Sequence, residues 1–193
     1  MDYEGNTKKR EQSSSADFAG NTSSASPPAS ALGGQFEVFL SSWPGALTDL
    51  IAGLKYDGLS SFLYQRLKSA GIRTFFNTGM SHVGEEIGPA VLKAINESKI
   101  FIPIFCSDYA SNARCLRELE QMVECHKTMG NKILPIFFDV KPSDVGYQLG
   151  SYEEAFSQLQ QHFDEKTVQR WKEAVRKVEQ IKGWELEKEA NDG

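Results

Sequence analysis

Glu118 is the residue of this chain whose type and setting most invite chemistry. It sits in the run 99–119, KIFIPIFCSDYASNARCLREL. Ile100, Phe101, Ile102, Ile104 and Phe105 form a near-continuous apolar stretch, which suits a strand covered on both faces. Ser107, Asp108, Ser111 and Asn112 supply a polar loop, and from Cys115 the period becomes helical. Ligands of open α/β sheets bind beyond the carboxyl ends of the strands, so an acid in the first turn of this helix stands where chemistry is usually done. Leu116, Leu119, Met122 and Val123 make a buried stripe, which places Glu118 at about a right angle to it, at the rim of the sheet. A plainer role is open at the same position: an acid that opens a helix complements its dipole, worth about 0.3–1 kcal/mol.

The other chemistry-bearing residues form weaker patterns. Cys115 precedes Glu118, but no histidine is placed to act as its base, so core packing is its expected role. Cys125 and His126 are adjacent, and His82 and His162 are isolated, so no spacing suits a metal and none is expected. Glu120 and Glu124 fall on other helix faces and read as solvated, while Glu85 and Glu86 read as acids in a helix's first turn. Asp108 and Asp139 are too few and too scattered for a phosphoacceptor cluster. Neither a Gly-x-Gly-x-x-Gly nor a Walker loop is present.

The elements that must position Glu118 are read from periodicity and punctuation. Strands are expected at 36–41, 72–76, 99–105 and 133–140, the last interrupted by Pro135, with a short fifth at 184–186. Helices are expected at 57–70, with Leu59, Phe62, Leu63 and Leu67 on one face, and at 85–98, 114–129, 151–163 and 167–182. Gly71 and Gly130 end two of them. Residues 42–56 mix loop and helix signals, and 77–84 and 141–150 read as loops. Strands alternating with helices predict an α/β fold, a parallel sheet with helices on both faces. The 193 residues give one domain at 35–187, a Ser/Ala/Gly/Pro-rich tail at 1–34 too poor in bulky apolar groups to order itself, and a disordered end at 188–193. A net charge of -5 without a basic cluster disfavours nucleic acid as a partner. No apolar run reaches the roughly 18 residues of a membrane span, and no signal peptide is visible. Three cysteines, an odd number, fit a reducing cytoplasm or nucleocytoplasm.

Several motifs then fall in a familiar order: Phe36–Ser41 (FEVFLS), Gly71–Phe75 (GIRTF), Gly84–Ile87 (GEEI), Leu92–Ser98 (LKAINES), Tyr109–Ser111 (YAS), Cys115–Leu119 (CLREL), Leu134–Phe138 (LPIFF), Pro142–Val145 (PSDV) and Trp171–Ala174 (WKEA), with Lys182-Gly183-Trp184 near the end. Over 36–186 the chain resembles a plant-type TIR domain, most like the TIR module of flax-rust-type immune receptors. The resemblance implies a flavodoxin-like fold with a five-stranded parallel sheet. It also implies hydrolysis of NAD+ with release of nicotinamide and formation of ADP-ribose-type signalling nucleotides in plant innate immunity. NAD+ would be substrate, with no resident cofactor. The family's catalytic glutamate falls on Glu118, and Ser41, Gly79 and Cys115 take positions that line the pocket. That chemistry suits a lone carboxylate. Cleaving the nicotinamide–ribose bond builds positive charge on the sugar, and nicotinamide leaves without being protonated.

Partners implied by the resemblance are other TIR domains, homotypic or heterotypic. Ser60 and Ser61 on the first helix, and Trp171 and Val175 on the last, are candidates for self-association, although Trp171, Val175 and Val178 at helical spacing ordinarily read as core. Four stretches depart from the family pattern. Ser42-Trp43-Pro44-Gly45 replaces Phe-Arg-Gly, Leu54-Lys55-Tyr56 replaces Asp-Thr-Arg, Asn77-Thr78 replaces an acidic pair, and Arg114 stands where a tryptophan precedes Cys-Leu. These changes keep a second function open: a TIR interaction module that associates without turning over NAD+. A TIR-only protein, a truncated product and a fragment are all compatible with the sequence.

Overall fold

The structure, a computed structural model, describes residues 36–43, 57–76 and 87–187. The expected tail at 1–34, most of the 42–56 stretch, the 77–84 loop with Gly79, and the end at 188–193 lie outside the described residues.

The elements follow in chain order: β1 (Val38–Ser42), α1 (Asp57–Ser69), β2 (Thr74–Phe76), α2 (Pro89–Glu97), β3 (Ile100–Phe105), a 3-10 turn (Tyr109–Ser111), α3 (Ala113–Met129), β4 (Lys132–Ile133), β5 (Ile136–Phe138), α4 (Pro142–Tyr147), α5 (Ser151–Leu159), α6 (Glu165–Glu179) and β6 (Trp184–Leu186). Among the described residues every strand pairing is parallel, in the order β2-β1-β3-β5-β6. The short β4 pairs the start of β3 and β5 pairs its end, so the two share one position and the sheet is five strands wide. The expected fourth strand is thus split at Leu134-Pro135. Proline has no N–H to give the ladder, and Pro135 lends its carbonyl instead to Trp184 N, 3.0 Å away.

Alternation along the strands sorts the core into two layers. Val38, Leu40, Ile102 and Ile104 face α1, where Leu59, Leu63, Tyr64 and Leu67 cover them. Phe39, Phe101, Phe105 and Phe137 face the other way and pack with Leu116, Leu119, Met122, Trp171, Val175 and Val178. Phe62, expected on the apolar face of α1, is instead 63% exposed, and Tyr64 takes its place.

Two elements correct the sequence reading. The helix expected from Glu85 begins at Pro89, with Gly88 extended as its N-cap, so Glu85 and Glu86 lie ahead of it and outside the described residues. A residue before proline avoids the helical region, and proline suits the first helical position. The loop expected at 141–150 contains α4: Pro142 again starts a helix, and Gln148, at φ 57°, ends it. Elsewhere the boundaries move by a few residues. Asp164 caps α6 by accepting from Thr167 N at 3.0 Å, and Gly130, at φ 73°, closes α3.

Candidate functional site

The carboxyl end of β1 meets the first two turns of α3. Asn112 starts that helix by accepting from Arg114 N at 2.9 Å. Arg114, Cys115 and Glu118 then fall on the side facing the strand, because residues three and four apart share a helix face. Ser41 follows Phe39 by two residues and so faces the same layer.

Ser41 and Glu118 are brought into contact. The serine Oγ donates to Glu118 Oε2 at 2.7 Å, a short bond of the kind a carboxylate acceptor makes. Ser41 Oγ also lies 3.2 Å from Tyr109 Oη, and that hydroxyl reaches the carbonyl of Cys115 at 3.3 Å. On the other side of the acid, Arg114 Nε lies 3.7 Å from Glu118 Oε1. The guanidinium is tied back to the strand by Nη2 donating to the Ser42 carbonyl at 3.2 Å, and Cys115 Sγ approaches the same oxygen at 3.5 Å.

The setting of Glu118 differs from the expectation at two points. It lies in the second turn of α3, whose first turn holds no acid, so the plain dipole role does not apply. It is also 1% exposed, within the protein rather than at its rim. Inside the protein, Ser41 donates to the acid and Arg114 offsets its charge. Burying such a group without partners would be costly.

Burial governs the ionisable groups around the acid. It pushes the Tyr109 hydroxyl well above its usual range, with Cys115 and Glu118 adding to the rise. It pushes the Cys115 thiol up strongly as well, helped by Glu118 and opposed by Arg114. Both therefore stay protonated near neutrality, and Cys115 is a packing and hydrogen-bonding residue rather than a nucleophile. Arg114, which stands where the family pattern has a tryptophan, is an interior cation at 4% exposure. Tyr109 and Arg114 are the participants that sequence reasoning missed. The signal for Arg114 was present in its four-residue spacing from Glu118.

The self-association candidates separate. Trp171 and Val175 are fully buried and Ser60 nearly so; these three contribute to the interior, and Ser61 is exposed. Trp171 Nε1 donates to Glu120 Oε2 at 3.1 Å and Arg170 Nε to Oε1 at 2.7 Å, so Glu120 bridges α3 and α6 and is not a simply solvated acid. A cavity of about 850 Å3 lies along this other face of α3, lined in part by Arg117, Glu120, Arg170 and Lys177. Of the stretches that depart from the family pattern, Pro44-Gly45, Leu54-Lys55-Tyr56 and Asn77-Thr78 lie outside the described residues, while Trp43 packs against the core. Among the described residues no three histidine, cysteine or acidic side chains are grouped to hold a metal ion, and no helix is long and apolar enough to cross a membrane.

Comparison with known proteins agrees with this architecture. Residues 36–193 match the family model of the TIR domain. The disease resistance protein RPV1 of Vitis rotundifolia is 40% identical over 124 residues, 64% of this chain and 9% of that protein. The TMV resistance protein N of Nicotiana glutinosa is 35% identical over 126 residues, 64% of this chain and 11% of that protein. The chain thus spans about a tenth of the length of these curated relatives. Among solved structures, the TIR domains of the activated Roq1 resistosome, which directly recognises the pathogen effector XopQ, superpose with a TM-score of 0.66 at 33% identity. That match covers 78% of this chain and 87% of the other.

Proposed function

The chain belongs to the TIR-domain family and is related to the TIR domains of plant disease resistance proteins, and from that premise we propose that it hydrolyses NAD+ in innate immune signalling. The observation that carries the reading is the placement of Glu118: a carboxylate at the carboxyl end of β1, bonded by Ser41 and flanked by Arg114. Breaking the nicotinamide–ribose bond leaves positive charge spread over the ribose ring carbon and oxygen, and a fixed carboxylate beside it lowers the energy of that state. Nicotinamide departs as a neutral molecule, water takes its place on the sugar, and the water's proton is released. Ser41 orients the acid, and the protonated Tyr109 hydroxyl steadies Ser41. Substrate contacts by Ser41, Gly79 and Cys115 belong to the same proposal. So do a cytoplasmic or nucleocytoplasmic location and association with other TIR domains, as the assembled Roq1 TIR domains associate. The domain limits proposed are 35–187.

A second reading is favoured by one observation. Glu118 is 1% exposed, and the chain's own Ser41 and Arg114 already engage it, as befits a structural acid in an interaction module that does not turn over NAD+. Nicotinamide release by the purified protein at high concentration, beside Glu118→Ala, separates the two. Release that depends on Glu118 supports the enzyme. Equal background in both samples supports the module.

A further inference from the structure

We propose that Arg114 is a positioning residue for Glu118: buried one helical turn before it, the guanidinium keeps the acid ionised and turned towards Ser41. The inference rests on the reading of Glu118 as the working carboxylate. Both charges are nearly inaccessible, at 4% and 1% exposure, so each must be balanced by the protein rather than by bulk water. A carboxyl group taken out of water on its own favours its neutral form, and a cation within about 4–6 Å favours the ionised one. Arg114 supplies that cation at 3.7 Å, and it is fixed at its other end, where Nη2 donates to the Ser42 carbonyl at 3.2 Å. The guanidinium therefore spans from β1 to the acid and cannot swing away without giving up the strand. Its planar fork allows two such engagements at once, which a lysine's point charge does not.

The groups that face Glu118 from each packed element can be named. Among the described residues, α3 contributes Arg114 and Cys115, the 3-10 turn contributes Tyr109, and β1 contributes the Ser41 hydroxyl and the Ser42 carbonyl. Tyr109 and Cys115 are held protonated by burial, so within this set the counter-charge is Arg114. A neutral Glu118 would lose its electrostatic hold on a cationic sugar and would itself become a hydrogen-bond donor competing with Ser41. Arg114 thus acts through the acid, without touching substrate.

The test reads the acid directly. Protein carrying carboxyl-13C glutamate is titrated by NMR, with the Glu118 resonance identified by its disappearance in Glu118→Gln. In Arg114→Met the midpoint moves to higher pH, a proton affinity raised about 10-fold or more. Arg114→Lys returns it towards the wild-type position. If Arg114→Met does not fold, Arg114→Gln carries the same test, because it keeps a planar polar head without the charge. A midpoint unchanged in a folded neutral variant overturns the proposal. Where turnover is measurable, the acid limb of kcat/KM for NAD+ moves the same way, with kcat falling more than KM changes. The resonance requires no turnover. A chain that leaves NAD+ intact refutes the hydrolysis proposed above, while the titration still decides the role of Arg114.

Discussion

Replacing Ser41 by alanine isolates the bond on which the orientation of Glu118 depends. The substitution deletes one oxygen from a side chain that is 1% exposed, so it adds no bulk and opens little space. Its main effect falls on Glu118 Oε2, which loses a donor at 2.7 Å where bulk water has no access. Tyr109 is affected less, because its hydroxyl retains the Cys115 carbonyl at 3.3 Å. A hydrogen bond to a charged group is worth about 1.5–3 kcal/mol, and a loss of about 2 kcal/mol is expected here. For a domain of this size that lowers Tm by about 4–8 °C. Urea unfolding followed by circular dichroism measures the change, and a double-mutant cycle assigns it. In a Glu118→Gln background the bond from Ser41 goes to a neutral acceptor of roughly half the strength, so Ser41→Ala should cost about 1 kcal/mol less there than in the wild type. A Ser41→Ala effect below about 0.5 kcal/mol, or strict additivity with Glu118→Gln, would refute the reasoning.

Further outcomes follow from other parts of the structure. Trp171→Ala removes a fully buried ring that meets Phe163 edge-on at 5.0 Å and bonds Glu120, so unfolding measurements should show a loss of about 3–5 kcal/mol, whereas Ser61→Ala on the surface should change little. In Gly183→Ala the new Cβ would lie too close to the Pro135 carbonyl; since that oxygen also anchors Trp184, a loss of about 1–3 kcal/mol is expected, with faster amide exchange in β6. Burial raises the Cys106 thiol to about 12 and raises Cys115, Cys125, Tyr109 and Tyr152 as well. The folded chain therefore holds protons that the unfolded chain releases once pH passes the ordinary thiol value of about 8.5, so the stability tied to these groups is complete below that pH and is lost as pH climbs towards 12. Denaturation midpoints that stay level across that alkaline range would contradict the burial of these groups. The same burial predicts that a thiol reagent labels native protein only at the rate of opening, and all three cysteines promptly in denaturant.

The sheet and the layers were legible because their signals are local. The run at 100–105 is apolar on both faces, and helices such as 113–129 carry a clear stripe closed by Gly130. The split at Leu134-Pro135 and the short helix at 142–147 were harder. In both, a proline reads first as a breaker, and only the fold shows one diverting its carbonyl and the other opening a helix. At the site, helical spacing placed Glu118 near the strand end, and the family pattern drew Ser41 to it. Its depth could not be read that way. An angle from the apolar stripe says nothing of what covers the adjacent face, and here Arg114 and Ser41 make an interior position tolerable for an acid. Arg114 was visible only as a departure from the family's tryptophan; that it is buried against the acid was not legible, because charge is ordinarily outside. Trp171 and Val175 show the converse, since their periodicity was the ordinary sign of a core and the structure buries both.

Hydrolysis through Glu118 is tested most directly by one comparison. Nicotinamide released from NAD+ is followed for the wild-type chain and for Glu118→Gln, both at high protein concentration and both shown to be folded by circular dichroism. Release by the wild type and a loss of about 10²–10³-fold or more in the variant are expected, the scale set by removing one preorganised electrostatic group. Indistinguishable background rates in the two proteins would contradict that hydrolysis and leave the buried acid a structural residue of a TIR interaction module.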